Sequence, residues 1–422
     1  MTNSKNYYEA TANDRPGYLS LTGSMTADVC VVGAGFTGLG VALELVLKGF
    51  SVVVLEAKTV GFGASGRNGG QIASGYAAGM MDAKQVVGES DVAKLWEFSE
   101  TAKKILYTRI NRFNIKCDLG QGELYAAPKK SHLKWLREEQ NFCEETFSYS
   151  GYQWIDRDEF RSLVAGERYV GALLDVEGGH LHPLNYTLGL ADAAANAGAL
   201  IFENTAALEI ERGAKIGIRT ASGHVAVNSL VLAGNAYLQE FKIEPTKHII
   251  PVESSILATE PLGEERAAQI MATKACVADT YFDLDYFKMT PDTRLVYGGQ
   301  DLSWKKQSLQ NNSIRSNMLK TFPMLEDVKI DYMWSGRFAV TSSRLPDVGR
   351  IDSNIYYAHG YSGQGVLLSA VVSDILADAI EGEMGRLDVF SRIRNKNLPQ
   401  SKLVQVPLLR LALLWNKIKD AL

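Results

Sequence analysis

Residues 28–40 have the sequence DVCVVGAGFTGLG, and this stretch decides the fold. A largely apolar strand leads into a turn with Gly33, Gly35 and Gly38, and residues 36–49 continue with helical periodicity. In a nucleotide-binding unit the first glycine permits the tight turn, the second lets a pyrophosphate approach the backbone, and the third allows close helix–strand packing. The phosphates then sit on the helix N-terminus. The pattern predicts a dinucleotide site, with a purely structural glycine turn as the alternative.

The second strand, SVVVLEA at residues 51–57, carries an acidic residue at its end. Glu56 follows the first glycine by roughly 20 residues, the spacing at which such folds place an acid on the adenosine ribose. A carboxylate there suits a 2′-hydroxyl and would repel a 2′-phosphate, which argues against NADP.

Residues 61–71, GFGASGRNGGQ, indicate which dinucleotide is bound. Five glycines among these eleven residues remove side chains where the backbone would lie against a flat ring system. The loop follows the second strand and therefore lies at the sheet edge where ligands of such folds bind. Its amides, with Ser65 and Asn68, can donate to phosphate and flavin oxygens. We favour FAD over NAD; the alternative is a flexible surface loop.

Length and composition fit a two-domain globular protein of 422 residues, with 46% hydrophobic and 22% charged residues. A net charge of −4 gives no reason to expect nucleic-acid binding. We find no signal-peptide pattern and no apolar run of membrane-spanning length. The four cysteines lack CxxC spacing, so we expect no metal site, no disulfide framework and a cytoplasmic location.

Longer segments of the chain resemble a known family. DVCVVGAGFTGLG and the segment VVVLEAKTVGFGASGRNGGQ at 52–71 strongly resemble the N-terminal region of the D-amino-acid-oxidase-like FAD oxidoreductases. LVLAGNAYL at 230–238, DLDYFKMTPDTRLVYGG at 283–299 and YYAHGYSGQGVLLS at 356–369 also fit. Within that superfamily the chain is most similar to the gamma-glutamylputrescine oxidases. The ASGRNGGQ and GYSGQGV segments are more specific to this group than the glycine fingerprint.

The resemblance implies an α/β fold of the glutathione-reductase-like, D-amino-acid-oxidase type. A discontinuous Rossmann-like FAD-binding domain would be joined to a mixed-sheet α+β substrate domain that roofs the flavin. We expect the FAD-binding domain to comprise residues 1–85, 180–235 and 335–395, and the substrate domain 86–179 and 236–334.

The C-terminal residues 396–422 are predicted to form an amphipathic helical tail. We expect it to dock on the body of the protein, and contact with a membrane surface or another subunit is the alternative. The sequence does not indicate an oligomeric state.

The resemblance also assigns cofactor contacts beyond the first turn. Gly234 and Asn235 follow a strand that would approach the dinucleotide, and Ala207 is the expected adenine contact. The helix N-terminus at 363–366 would face the pyrimidine edge of the flavin and stabilise negative charge on the reduced ring, unless it is a plain helix cap. The predicted cofactor-binding residues are Gly33, Ala34, Gly35, Phe36, Thr37, Gly38, Glu56, Ala57, Lys58, Gly63, Ala64, Ser65, Arg67, Asn68, Gly69, Gly70, Gln71, Ala207, Gly234, Asn235, Gly363, Gln364, Gly365 and Val366.

We expect the FAD to be bound noncovalently. Relatives that link the ring through histidine carry that histidine soon after the second strand, whereas the first histidine here is His132. Relatives that link it through cysteine carry the cysteine late in the substrate domain, and none follows Cys276.

The chemistry implied by the family is oxidation of a C–N bond, with hydride transfer to flavin N5 and hydrolysis of the imine to an aldehyde or keto product. The candidate for favouring the neutral amine is His359, although a histidine beside a strand end is as often structural. Tyr286, Trp334 and Tyr361 are candidates for the pocket wall, with core packing as the alternative.

One difference between this sequence and those of amino-acid-oxidising relatives bears on the substrate. Amino-acid-oxidising relatives present an arginine in a G-x-R-P-x-T-P-D type segment to clamp the substrate carboxylate. Alignment of Gly336, Thr341 and Pro346 with that segment places Phe338 where the arginine should be. Arg337 is one position away and would point to the opposite face of a strand. An elongated amine with a distant carboxylate, such as gamma-glutamylputrescine, therefore fits better than a compact α-amino acid.

Three functions remain open from the sequence. The favoured one is an FAD-dependent oxidase or dehydrogenase of polyamine-type amines. The second is an amino-acid, sarcosine or glycine oxidase or a D-amino acid dehydrogenase of the same fold, and the third is an FAD-bearing electron-transfer subunit without its own amine site. The electron acceptor is open between O2, which would give H2O2, and another carrier; Lys288 and Arg337 are candidates for a charge that assists oxygen.

Overall fold

The computed structural model describes residues 5–241, 243–300, 307–401, 404 and 407. Most of the predicted C-terminal tail lies outside the described residues, so its helix remains a prediction. The helices are α1 (Tyr7–Ala10), α2 (Phe36–Leu47), α3 (Met80–Val87), α4 (Glu89–Arg112), α5 (Lys130–Phe147), α6 (Arg157–Leu163), α7 (Pro183–Asn196), α8 (Glu264–Ile270), α9 (Gln307–Thr321), α10 (Gly365–Glu381) and α11 (Gly385–Ser391).

The strands belong to two sheets, of eight and nine strands. They are β1 (Gly23–Val32), β2 (Val52–Leu55), β3 (Gln71–Ile72), β4 (Gly120–Ala126), β5 (Tyr152–Ile155), β6 (Ala172–His180), β7 (Leu200–Phe202), β8 (Glu209–Glu211), β9 (Ile216–Arg219), β10 (Gly223–Leu232), β11 (Ile249–Thr259), β12 (Cys276–Asp279), β13 (Asp285–Met289), β14 (Leu295–Gln300), β15 (Ile330–Thr341), β16 (Asp347–Asp352) and β17 (Ile355–His359).

The first sheet has the order β16-β17-β10-β1-β2-β7, with β9 paired to β10 and β8 to β9. The run from β17 to β7 is parallel, whereas β16 and β9 are antiparallel to their neighbours. The central strands are buried on both faces, as parallel strands covered by helices usually are. Helices α2 and α10, both largely buried, follow β1 and β17 respectively.

The second sheet has the order β15-β11-β14-β13-β12-β4-β6-β3, with β5 paired to β6. Its pairs are antiparallel except for β12 with β4, which makes it a mixed sheet. A parallel, helix-covered sheet joined to a mixed sheet confirms the predicted α/β fold class.

The predicted domain limits can be placed on these two sheets. Every strand of the first sheet falls within the segments proposed for the FAD-binding domain. Those segments also contain β3 and the C-terminal part of β15, and both of these strands belong to the second sheet. The limit expected at residue 335 therefore falls inside β15, whose pairing with β11 continues to Thr341. We propose that the FAD-binding domain resumes after Thr341.

A buried arginine joins the three helices α2, α4 and α10. Arg109 of α4 donates to Glu44 of α2 at 2.8 Å and to the Ser373 hydroxyl of α10 at 2.9 Å. Gly40 of α2 makes room for this contact, because a Cβ there would lie 2.5 Å from Ser373 Oγ. Among the described residues, no helix combines the length and hydropathy needed to span a bilayer.

The turn between β1 and α2 requires two glycines. Gly33 has φ +108°, a conformation that favours glycine. A Cβ on Gly38 would lie 1.9 Å from the Gly33 carbonyl oxygen and 3.2 Å from Val31. The third glycine of the fingerprint therefore lets α2 begin directly against β1.

We expect Gly38→Ala to lower the stability of the protein by at least about 2 kcal/mol, because the added methyl collides with backbone that cannot move away. Thermal unfolding of the FAD-bound protein and its flavin content measure the effect. Gly385→Ala is the matched control, since nothing lies within 4 Å of a Cβ at that exposed helix start. Equal unfolding temperatures for the two variants would contradict this view of the turn.

Candidate active site

One cavity of about 1010 Å³ runs from the first sheet to the second. At one end it is lined by the turn after β1, and at the other by residues of β4, β11, β12, β13 and β15. All predicted cofactor-binding residues line this cavity except Gly38, which lies behind the turn against Gly33. We propose that those lining residues hold the cofactor and that Gly38 acts only by allowing the turn.

Glu56 is held at the dinucleotide end of the cavity by backbone amides. Its Oε2 accepts a hydrogen bond from the Ala34 amide at 2.9 Å, and its Oε1 accepts one from the Lys58 amide at 2.9 Å. Burial raises the pKa of the Glu56 carboxyl, and the two amides act in the opposite direction. The carboxylate is thus oriented between the first turn and the end of β2, where a ribose hydroxyl can donate to it.

Internal hydrogen bonds order the glycine-rich loop at 61–71. The Ser65 hydroxyl accepts from the Phe36 amide at 3.0 Å, which ties the loop to the start of α2. The Asn68 side chain donates to the Ala64 carbonyl at 2.9 Å and accepts from the Gly70 amide at 2.7 Å. These bonds argue against the alternative of a flexible surface loop.

The end of this loop lies directly under the second sheet. A Cβ on Gly69 would lie 2.7 Å from the Tyr286 ring, and a Cβ on Gly298 would lie 2.3 Å from the same ring. Tyr286 therefore lies between two glycines, and its hydroxyl shares a 2.8 Å hydrogen bond with Ser254. The ring is fixed as part of the cavity wall.

The start of α10 contributes polar groups to the same cavity. Amides in the first turn of a helix have no acceptor within that helix, and those of Gly365 and Val366 are at the cavity lining. Within the described part of the chain, the buried Oε1 of Gln364 has no hydrogen-bond partner. A ligand that offers both acceptors and a donor, as the pyrimidine edge of a flavin does, suits this arrangement. Tyr361 lines the cavity beside it and shares a 2.8 Å hydrogen bond with Thr37.

The register of the second sheet places three wall residues in one row. Ala278 is paired with Tyr125 on one side and with Tyr286 on the other, so all three face the cavity together. Glu123, which precedes Tyr125 by two residues on β4, also lines the cavity. Burial and the nearby Asp175 carboxylate raise the pKa of Glu123 to about 8.

A second buried carboxyl, Asp279, lines the cavity at the end of β12. Burial, followed by the neighbouring Asp285, raises its pKa to about 7, although Arg168 lies 3.3 Å away and acts in the opposite direction. Two buried carboxyl groups whose pKa is raised by burial therefore face the same cavity.

Two of the predicted catalytic residues do not reach this cavity. His359 is fully buried, is not part of the lining, and its Nε2 lies 2.9 Å from Asp347. The prediction that it favours the neutral amine is therefore corrected: the end of β17 turns its side chain into the core. Trp334 is also core, since its Nε1 donates to the Arg67 carbonyl at 3.1 Å and its ring packs edge-on against Tyr8. Through this hydrogen bond Trp334 supports the glycine-rich loop at 61–71 from outside the cavity lining.

Residues 336–338 of β15, the segment compared above with the arginine motif of amino-acid-oxidising relatives, alternate in facing as expected of a strand. Gly336 and Phe338 of β15 line the cavity, whereas Arg337 pairs with Glu253 at 3.3 Å and is 40% exposed. Phe338 thus presents an apolar ring to the cavity.

The lining residues that sequence reasoning missed include Glu123, Tyr125, Asp279 and Arg344. The first three lie on strands whose facing side is decided by pairing with distant strands, so no local motif marks them. Arg344 had a weak signal, because it is the next arginine after Phe338 in the same aligned segment.

A cavity with a dinucleotide turn at one end and a buried, glycine-lined slot at the other defines a flavin-dinucleotide oxidoreductase. A family model described as "FAD dependent oxidoreductase" matches residues 28–379. The chain belongs to this DAO family of FAD-dependent oxidoreductases, and it is an FAD-dependent amine oxidoreductase. It is 38% identical to gamma-glutamylputrescine oxidoreductase of Escherichia coli K12 over 419 residues, which covers 99% of this chain and 98% of that protein.

Solved structures support the same fold. L-proline dehydrogenase from P. horikoshii superimposes with a TM-score of 0.72 at 20% identity, covering 89% of this chain and 98% of that one. Glycine oxidase from Geobacillus kaustophilus superimposes with a TM-score of 0.70 at 20% identity, covering 84% and 95% respectively.

We expect Glu56→Ala to weaken FAD binding by about 1–3 kcal/mol, because a ribose hydroxyl loses a charged acceptor. Equilibrium titration of the flavin-depleted variant with FAD, followed by flavin fluorescence, measures the change. Glu209→Ala removes another carboxylate of the cavity lining, one that pairs with Arg219 on the surface, and should leave affinity unchanged. Equal affinity of the Glu56 variant and the unsubstituted protein would show that another group holds the ribose.

Proposed function

We propose that the protein oxidises the terminal C–N bond of an elongated amine that carries a carboxylate at its far end, with gamma-glutamylputrescine as the candidate substrate. The observation that carries this proposal is the position of Phe338. This apolar ring lines the cavity where amino-acid-oxidising relatives present an arginine, and the neighbouring Arg337 is paired with Glu253 on the other face. A compact α-amino acid would have to place its carboxylate against an aromatic ring, without a partner.

The relative from Escherichia coli supports the same substrate class. It is named for gamma-glutamylputrescine, and its 38% identity with this chain extends over nearly the full length of both proteins. Glycine oxidase and L-proline dehydrogenase share the fold at 20% identity, which indicates the architecture and carries no weight on the substrate.

The walls of the cavity suit the reacting end of such an amine. Tyr125, Tyr286 and Tyr361 present aromatic rings to the cavity, and Tyr286 lies against Gly69. When bound, FAD supplies the hydride acceptor. The fixed Tyr286 ring limits how the amine chain can lie across the slot.

Glu123 is the group that we propose takes the proton from the incoming ammonium. It lines the cavity, accepts a hydrogen bond from the Tyr125 hydroxyl at 3.2 Å, and pairs with no cation in the part of the chain that the structure describes. Only the ionised form of Glu123 can accept this proton, and its share grows as the pH rises through about 8. That form is a stronger base than an exposed carboxylate, because its pKa is closer to that of an ammonium. The neutral amine is the form that can lose hydride.

We expect gamma-glutamylputrescine to bleach the visible absorbance of the flavin under anaerobic conditions. Glycine, sarcosine and D-alanine should bleach it slowly or not at all, because Phe338 gives their carboxylate no partner. Stopped-flow mixing of the FAD-bound protein with each compound measures the rates. Arg337→Ala is the control and should leave the order of substrates unchanged, since that side chain faces away from the cavity.

Two outcomes would favour the other functions. Rapid bleaching by an amino acid with no response to any polyamine derivative would identify an amino-acid oxidase. Failure of every amine to bleach the flavin would instead favour an electron-transfer subunit.

Lys288 is the charge that we propose assists the reduced protein in reacting with O2. Its Nζ donates to the Leu181 carbonyl at 2.6 Å and lies 2.8 Å from the position that a Cβ on Gly70 would occupy. The lysine is therefore buried against Gly70 of the glycine-rich loop at 61–71. Burial lowers the pKa of Lys288 to about 8, so the side chain is charged at neutral pH and loses its charge as the pH rises through about 8.

We expect Lys288→Met to slow reoxidation of the reduced protein by O2 roughly 10- to 100-fold at neutral pH, because the positive charge is lost. Reoxidation of the unsubstituted protein should slow as the pH rises through about 8, and that of the variant should not change there. Stopped-flow mixing of the dithionite-reduced protein with oxygenated buffer gives both profiles. The exposed Lys274→Met is the control, and equal reoxidation rates for the Lys288 variant and the control would contradict the assignment.

A further inference from the structure

Arg344 lies in the turn that follows β15 and lines the cavity. Its guanidinium stands over the Phe282 ring at 5.5 Å from the ring centre, and the residue is half-buried. It comes six positions after Phe338 along the same segment. The cavity wall that lacks an arginine on the strand therefore has one in the turn beyond it.

Among the residues that the structure describes, the Arg344 side chain has no partner for its charge. In the described residues no carboxylate forms an ion pair with it, and Asp82 acts on it only through its electrostatic field. Two other arginines of the cavity lining are paired, Arg67 with Glu9 at 3.0 Å and Arg212 with Asp352 at 3.3 Å. A partly buried guanidinium without a counter-ion is unfavourable unless an external anion binds it.

The backbone conformation at position 344 favours glycine over arginine. Its φ is +58°, in the left-handed region where glycine is the usual choice. The turn is held by the Thr341 hydroxyl, which donates to the Leu345 carbonyl at 2.8 Å, and by the Arg344 amide, which donates to the Thr341 carbonyl at 3.3 Å. An arginine in a turn that suits glycine indicates that the side chain serves a purpose other than stability.

We propose that Arg344 binds the carboxylate at the far end of the substrate, opposite the reacting amine. The guanidinium offers a planar pair of donors that matches a carboxylate, and the Phe282 ring supports its flat face. Under this proposal the carboxylate binds at the turn after β15, beside Phe282, and not at position 338 on the strand. The site thereby selects a long amine with a remote carboxylate over an α-amino acid. This inference rests on the proposed function and identifies the residue responsible for its specificity.

A matched pair of substrates tests the role of Arg344 in turnover. Gamma-glutamylputrescine carries the carboxylate, and N-acetylputrescine has the same amine chain without it. Arg344→Gly should raise KM for gamma-glutamylputrescine about 10- to 100-fold with little change in kcat, because one charged hydrogen-bonded contact is lost. The same variant should leave KM for N-acetylputrescine within about twofold of the unsubstituted protein, and Arg344→Lys should be intermediate for the first substrate.

The choice of variants separates binding from folding. Arg344→Gly suits the left-handed turn, so its thermal unfolding temperature should not fall. Arg337→Ala removes an arginine that pairs with Glu253 on the opposite face of β15, and it should leave both KM values unchanged. Equal KM changes for the two substrates, or none for either, would overturn the proposal.

A binding measurement keeps the inference separate from the proposed function. Gamma-glutamylbutylamide has the carboxylate and the chain but no reacting amine, so its binding is read from the shift of the flavin absorbance spectrum without turnover. It should bind the unsubstituted protein and bind Arg344→Gly about 10- to 100-fold more weakly. Equal binding to both proteins, or no binding to either, would contradict a role for Arg344 whatever the substrate. If the amide binds as expected while gamma-glutamylputrescine fails to bleach the flavin, the proposed reaction is wrong and the anion site stands.

Discussion

The close approach of two backbone segments at Gly33 and Gly38 is the constraint on which the rest of the site depends. The Gly33 carbonyl oxygen occupies the place where residue 38 would carry a Cβ. Because Gly38 has no Cβ to compete for that space, α2 starts immediately beside β1, and the Phe36 amide is within reach of the Ser65 hydroxyl at 3.0 Å. This contact fixes the glycine-rich loop, and the loop in turn sets the depth of the slot beneath Tyr286.

The parts of this site that the sequence predicts are those encoded by local motifs. The glycine turn, the acid after β2 and the helix start after Gly363 each lie within a few residues of a recognisable pattern, and all reach one cavity. For the second sheet, which covers the cavity, the sequence predicts only that it is mixed. Which of its side chains face inward depends on register, as in the row of Tyr125, Ala278 and Tyr286, and register is set between strands far apart in sequence.

His359 shows why proximity in sequence is a poor guide to a role in chemistry. It directly precedes the turn that leads to α10, yet its ring is buried in the core, where its Nε2 lies 2.9 Å from the Asp347 carboxylate. Asp347 also lies 2.8 Å from His248, so the pair of histidines stabilises the carboxylate and holds its pKa at about 2. The buried carboxyl groups that do line the cavity, Glu123 and Asp279, lie on strands of the other sheet. The arginine to which we assign specificity likewise lies outside the strand, in the turn after β15, whereas Arg337 of the strand pairs with Glu253.

A crystal structure of the FAD-bound protein tests the central claim most directly, namely that the glycine loop and the mixed sheet together enclose the flavin. We expect the isoalloxazine ring to lie beside Gly69 and Gly70, with Tyr286 facing it and its pyrimidine edge toward the amides of Gly365 and Val366. A flavin ring bound outside this slot, or a slot closed by side chains while the ring lies on the surface, would contradict it.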